Sequence, residues 1–147
     1  MNFQKPNFFA LHELVPKEVY KEYERVNKLY RLWYVFDPRM LFTIDRLRER
    51  YGKMIMNNWF WGGNHQYRGW RDSEVKIGAS LSQHKFGRAA DLVSVEHTAE
   101  EIRNDILADP FHDDFKYITC IELAVLWLHF DIRNFDKEKY GVLVVNP

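Results

Sequence analysis

The stretch WLHFDIR, Trp127 to Arg133, alternates its side chains with a period of two. That pattern belongs to a β-strand with one buried face. Leu128, Phe130 and Ile132 share the face that suits a core, and Trp127, His129, Asp131 and Arg133 share the other. Four such groups on a strand otherwise suited to burial fit a lined cleft or a solvated sheet surface equally well.

The preceding run YITCIEL, Tyr117 to Leu123, also reads as a strand. If the two form a hairpin with Val125 and Leu126 at its tip, opposed residue numbers sum to 251. Glu122 then faces His129, with Cβ atoms about 5 Å apart. A slip of one residue would send Glu122 to the other face. The connection LAVL, Leu123 to Leu126, lacks the Gly, Asn or Asp that tight turns favour. Its apolar residues suit the rim of a binding site or a contact surface.

A second decisive stretch is SQHKFGRAADL, Ser82 to Leu92, where a chain rich in bulky aromatics turns small. On one helix, His84 and Asp91 would stand about 10 Å apart along the axis. A turn at Gly87 leading into a strand, AADLVSV, brings them together and lets backbone or ligand approach closely. By itself the pair reads first as a hydrogen-bonded structural contact.

The rest of the chain frames these segments. Residues 17–30 show helical spacing, with Val19, Tyr23, Val26 and Tyr30 on one side. A helix is predicted from Pro38 to about Tyr51, with Asp37 as N-cap, Pro38 at the first helical position and Gly52 as stop. KMIMNNWFW reads as a strand entering an irregular segment of about twenty residues, a length that is often functional. Thr98 and Glu101 form a capping box for a helix to about Ala108, stopped by Pro110. GVLVV closes the chain as a last strand. Helices early and strands late predict a single α+β domain, with a mainly antiparallel sheet and helices packed on one face.

Composition narrows the function classes. The 147 residues carry 21 Lys plus Arg against 21 Asp plus Glu, so charge makes no case for nucleic acid or an anionic membrane. There is no apolar run long enough to span a bilayer, and the start MNFQKPNFFALHE lacks the pattern of a secretory leader. The lone Cys120 excludes an internal disulfide and reads as a small buried apolar residue.

Three separated segments therefore offer His84, Asp91, His129 and Glu122. Two imidazoles and one carboxylate with an open fourth position form a catalytic zinc constellation, and a carboxylate beside it can move protons. The chemistry implied is metal-assisted amide hydrolysis.

SQHKFGRAAD resembles the Ser-x-His-x-x-Gly-x-Ala-x-Asp signature of the D-alanyl-D-alanine carboxypeptidase and L-alanyl-D-glutamate endopeptidase family, whose fold is shared with the hedgehog signalling domain. DPRML…IDRLRERYG, NNWFWGG…RGWR and WLHFDIR are similar to the phage and bacterial branch in the same order, so the resemblance covers roughly residues 37–133. It implies a zinc ion (Zn2+) on His84, Asp91 and His129, and Ser82 as a hydrogen-bonding support of the ligand loop. It implies Arg71, with Arg68 competing, as the group that holds a substrate carboxylate or carbonyl, and it leaves Trp127 as a substrate-facing side chain. Many family members carry the catalytic carboxylate three residues before the last histidine, where this chain has Leu126; Glu122 matches the phage-like arrangement instead. His65 in the long loop and Asp131 beside His129 are weaker candidates.

Two expectations follow. The first is a zinc peptidase acting on bacterial peptidoglycan stem peptides, as a phage lysis enzyme held in the host cytoplasm until lysis or as a component of the virion. The second is a non-catalytic metal-binding module that contacts virion proteins through the tip Leu123 to Leu126.

Overall fold

Local capping chemistry sets the two main helices where the sequence places them. In the computed structural model, which describes Met1 to Pro147, helix α2 spans Pro38–Tyr51 and α3 spans Ala99–Ala108. Asp37 caps α2 by accepting the Arg39 N–H at 3.0 Å, Pro38 occupies its first turn, and Gly52 ends it at φ 76°. At α3 the Thr98 hydroxyl accepts the Glu101 N–H at 3.1 Å while the Glu101 carboxylate accepts the Thr98 N–H at 2.7 Å. Each such cap stabilises its helix by about 1 kcal/mol.

The strands are β1 (Met54–Ile55), β2 (Ala89–Ser94), β3 (Cys120–Glu122), β4 (Leu128–Asp131) and β5 (Leu143–Val145). They form one five-stranded sheet in the order β1-β2-β4-β3-β5. Its pairs are antiparallel except β3 with β5, which run parallel. Short helices α1 (Lys17–Arg25) and α4 (Lys137–Tyr140) complete the chain. The domain is α+β, as expected. No helix is long and apolar enough to cross a membrane.

The alternation of WLHFDIR divides the sheet into two faces. Leu128, Phe130 and the following Ile132 join Ala90, Leu92 and Ile121 in a core of 23 buried residues that includes Met40, Leu41, Ile44 and Leu47 of α2 and Ile102 and Ile106 of α3. The other face carries Asp91, Glu122, His129 and Asp131 into an open cleft. Cys120 is fully buried and unpaired.

Three local expectations are corrected. The helix of residues 17–30 stops at Arg25, because Asn27 turns into the left-handed region at φ 55°, a conformation Asn tolerates. The chain resumes as a 3-10 turn, Leu29–Val35, which buries Leu32 and leaves Tyr30 outside. The KMIMNNWFW run pairs only at Met54 and Ile55. Buried Asn57 then pulls the backbone out of the ladder: its N–H donates to Glu13 O at 3.1 Å and its Nδ2 to Val15 O at 3.2 Å, while its Oδ1 accepts the Arg68 N–H at 3.0 Å. Ser82, expected to steady the ligand loop through its hydroxyl, supports it by backbone only, donating its N–H to Ala79 O and accepting the Lys85 N–H.

Candidate metal site and cleft

Gly87 explains why the Ser82–Leu92 stretch is small. A 3-10 turn, Gln83–Phe86, ends at Gly87 with φ 66°, and β2 starts two residues later. A Cβ at Gly87 would lie 1.9 Å from Val35 O and 2.8 Å from Phe36 Cα, so only glycine lets that segment pass. The fold-back carries His84 beside Asp91, and the β2–β4 register sets Asp91 directly opposite His129.

These three side chains converge. One ligand atom from each lies within 4.8 Å of the others. His84 Nε2 is 3.3 Å and His129 Nδ1 is 2.7 Å from the same Asp91 oxygen, Oδ1. Each imidazole has its other nitrogen occupied from outside. His84 Nδ1 donates to Gly69 O at 2.7 Å, and His129 Nε2 lies 3.3 Å from Asp131 Oδ2. Holding the far nitrogen fixes tautomer and ring orientation and turns the near nitrogen into a donor for a cation. The donor set therefore fits a metal ion, with His84, Asp91 and His129 as its ligands.

The same contacts set the charges within the cluster. Burial by itself would raise the Asp91 carboxyl, but hydrogen bonds from His129 and His84 outweigh it and hold it well below the usual carboxylate range. Burial works against a charged His129 too; the bonds to Asp131 and Asp91 win and push it up to about 9. Asp131 is fully buried, and the Arg133 guanidinium overcomes the burial penalty and keeps it ionised. Two buried carboxylates thus favour positive charge at the point where the imidazoles meet.

The cleft around the triad encloses about 370 Å³ and is lined by Arg71, Ser82, Glu122, Trp127 and Arg133, among others. Cys120 opposes Asp131 and Ile121 opposes Phe130, the register in which residue numbers sum to 251. Continued one residue past its last pair, that register sets Glu122 across from His129; both side chains line the cleft, and the Glu122 carboxylate takes part in no hydrogen bond or ion pair within the chain. A second lobe of about 260 Å³, lined by His65, Tyr67 and Arg68, joins the first through Arg71, Asp91 and Trp127.

The two arginines separate. Arg71 is 8 % exposed. Its guanidinium donates to Tyr67 O at 2.6 Å, Ile77 O at 3.3 Å and Asp91 Oδ2 at 3.4 Å. It ties the long loop to a triad residue. The Arg68 guanidinium donates only to Met56 O at 3.5 Å and has no carboxylate partner. Burial lowers its pKa and only Asp91 offsets that, so its guanidinium is the one free to meet a ligand's anionic group.

Two residues of the site are not evident from local sequence. Gly69 supplies the carbonyl that orients His84, and a Cβ there would meet Leu14 O at 2.2 Å; a glycine between bulky neighbours in YRGWR was the available signal. Arg103 of α3 reaches the backbone beside Glu122 at 3.4 Å, and nothing in its own helix signals this. Comparison with protein-family models, curated proteins and solved structures finds no match to this chain.

Proposed function

We propose that the protein is a zinc-dependent peptidase that hydrolyses amide bonds in bacterial peptidoglycan stem peptides. The observation that carries this reading is an unpaired carboxylate, Glu122, lining the same cleft as the His84–Asp91–His129 donor set and standing opposite one of its members. A zinc ion held by His84, Asp91 and His129 would supply Lewis acidity and a lowered water pKa. Glu122 accepts the proton released as water adds to the scissile carbonyl. It then passes that proton to the departing amine nitrogen as the C–N bond breaks. Arg71 and Asp131 hold Asp91 and His129 in place, while Arg68 and Trp127 face the substrate. The choice of stem peptides rests on the resemblance of Ser82–Asp91 to the peptidase signature. Release of a phage from its host, or entry by a virion, is the setting that resemblance supports.

Leu126 favours a second reading, assembly through the hairpin tip, because this apolar side chain is 94 % exposed. One experiment separates the two. Purified sacculi are incubated with the zinc-loaded protein, with and without chelator, and soluble fragments are weighed by mass spectrometry. The peptidase reading expects chelator-sensitive release, with the fragment masses naming the bond cut. Absence of release from several wall types, with zinc bound, would leave assembly as the function.

A further inference from the structure

We infer that Arg103 is the positioning residue of the cleft: from the core side of the sheet it holds the backbone of residues 122–127 and so sets where Glu122 and Trp127 stand. The assignment of Glu122 as base rests on the proposed function; the clamp itself is geometric.

Arg103 lies on α3, is 8 % exposed, and has no carboxylate partner. Its guanidinium instead serves carbonyls. One terminal nitrogen donates to Glu122 O at 3.4 Å, Val125 O at 3.3 Å and Trp127 O at 3.2 Å, and the other donates to Val125 O at 3.3 Å. A buried cation needs such compensation, and a planar fork can address several acceptors where an ammonium acts as a compact point.

The loop needs an external hold. Leu123 to Leu126 contains no residue suited to a tight turn, and Ala124 sits at φ 56°, a left-handed conformation that crowds the Cβ of an L-residue. Arg103 grips the loop from below, and the Leu123 N–H donates to Val145 O at 2.8 Å from the edge. Glu122 and Trp127 are the residues flanking this loop. Both are gripped at their carbonyls, and both side chains line the cleft. The metal donors are held elsewhere: His84 through Gly69, and Asp91 and His129 through the β2–β4 ladder.

Loosening the clamp should therefore shift the base and the cleft wall without emptying the donor set. The test compares wild type with Arg103→Lys and Arg103→Met, each of which keeps most of the aliphatic stem. Amide hydrogen exchange is expected to become roughly tenfold faster at residues 123–127, with β2 and α2 unchanged and one zinc still bound. On sacculi, kcat is expected to fall roughly 10- to 100-fold, and Lys is expected to rescue less than half of the loss. Unchanged exchange at 123–127 in a folded variant overturns the clamp, as does unfolding of both variants, which would make Arg103 a determinant of the whole fold. A wild type that releases nothing from sacculi removes the peptidase reading alone, because exchange and zinc content still report on the clamp.

Discussion

Asp91 is the residue on which the site turns. Its Oδ1 meets both imidazoles and its Oδ2 meets Arg71, so one carboxylate ties the long loop and β4 to its own stretch of chain. Glu122 differs in kind: its carboxylate faces the same space and makes no hydrogen bond or ion pair in the chain. An unpaired carboxylate contributes little to stability, which makes it a clean target. Glu122→Gln keeps size and polarity but cannot accept the proton. Turnover on sacculi is expected to fall by roughly 10²- to 10⁴-fold, while zinc content measured by atomic spectrometry stays at the wild-type value. Near-normal turnover in that variant would assign the base to another group.

At the scale of elements, the hairpin β3–β4 carries the tension between local and global preference. Its strands alternate as a half-buried pair should, yet its turn has neither glycine nor asparagine. Ala124 takes the left-handed conformation only because the strands on each side and Arg103 below leave it no choice. Ala124→Gly would relieve roughly 1–2 kcal/mol of steric cost and add back about 0.5–1 kcal/mol of lost chain entropy. Relief is the larger of the two, so the variant is expected to be more stable by about 0.5–1 kcal/mol, seen as a higher urea midpoint at unchanged slope. A lower midpoint would mean that the turn is not strained. The 3-10 turn before β2 shows the opposite case, in which the sequence already provides the glycine that the close approach of Val35 demands.

The whole molecule is a sheet with a dry side and a working side. Helices α2 and α3 cover the first, and the long loop from Gly62 to Ser82, which contains neither helix nor strand, walls the second. The metal donors come from a 3-10 turn and two strands, so a bound ion would join parts of the fold that unfolding separates. Zinc at about a thousand times its dissociation constant should add about 4 kcal/mol and raise the unfolding midpoint by roughly 10 °C for a chain of this size. Chelator is expected to reverse the shift, and His84→Ala to abolish it in differential scanning calorimetry. A full shift in His84→Ala would place the ion elsewhere.

Local physics made several features readable without coordinates. Asp37, Pro38 and Gly52 set the limits of α2, Thr98 and Glu101 the start of α3, and the alternation in WLHFDIR separated the core face from the polar one. Gly87 between His84 and Asp91 likewise offered a place for the fold-back that the 3-10 turn makes. These rest on neighbours within a few residues, where capping, pleat and glycine geometry act directly. Other features depended on partners distant in sequence. Gly69 O orients His84, Arg71 rather than Arg68 braces Asp91, and Asn57 ends β1 through its bonds to Glu13 and Val15. Arg103 holds a loop about twenty residues away, through carbonyls that every sequence has. Backbone acceptors leave no mark in the order of side chains, so only the packed chain could decide which of them each polar group would meet.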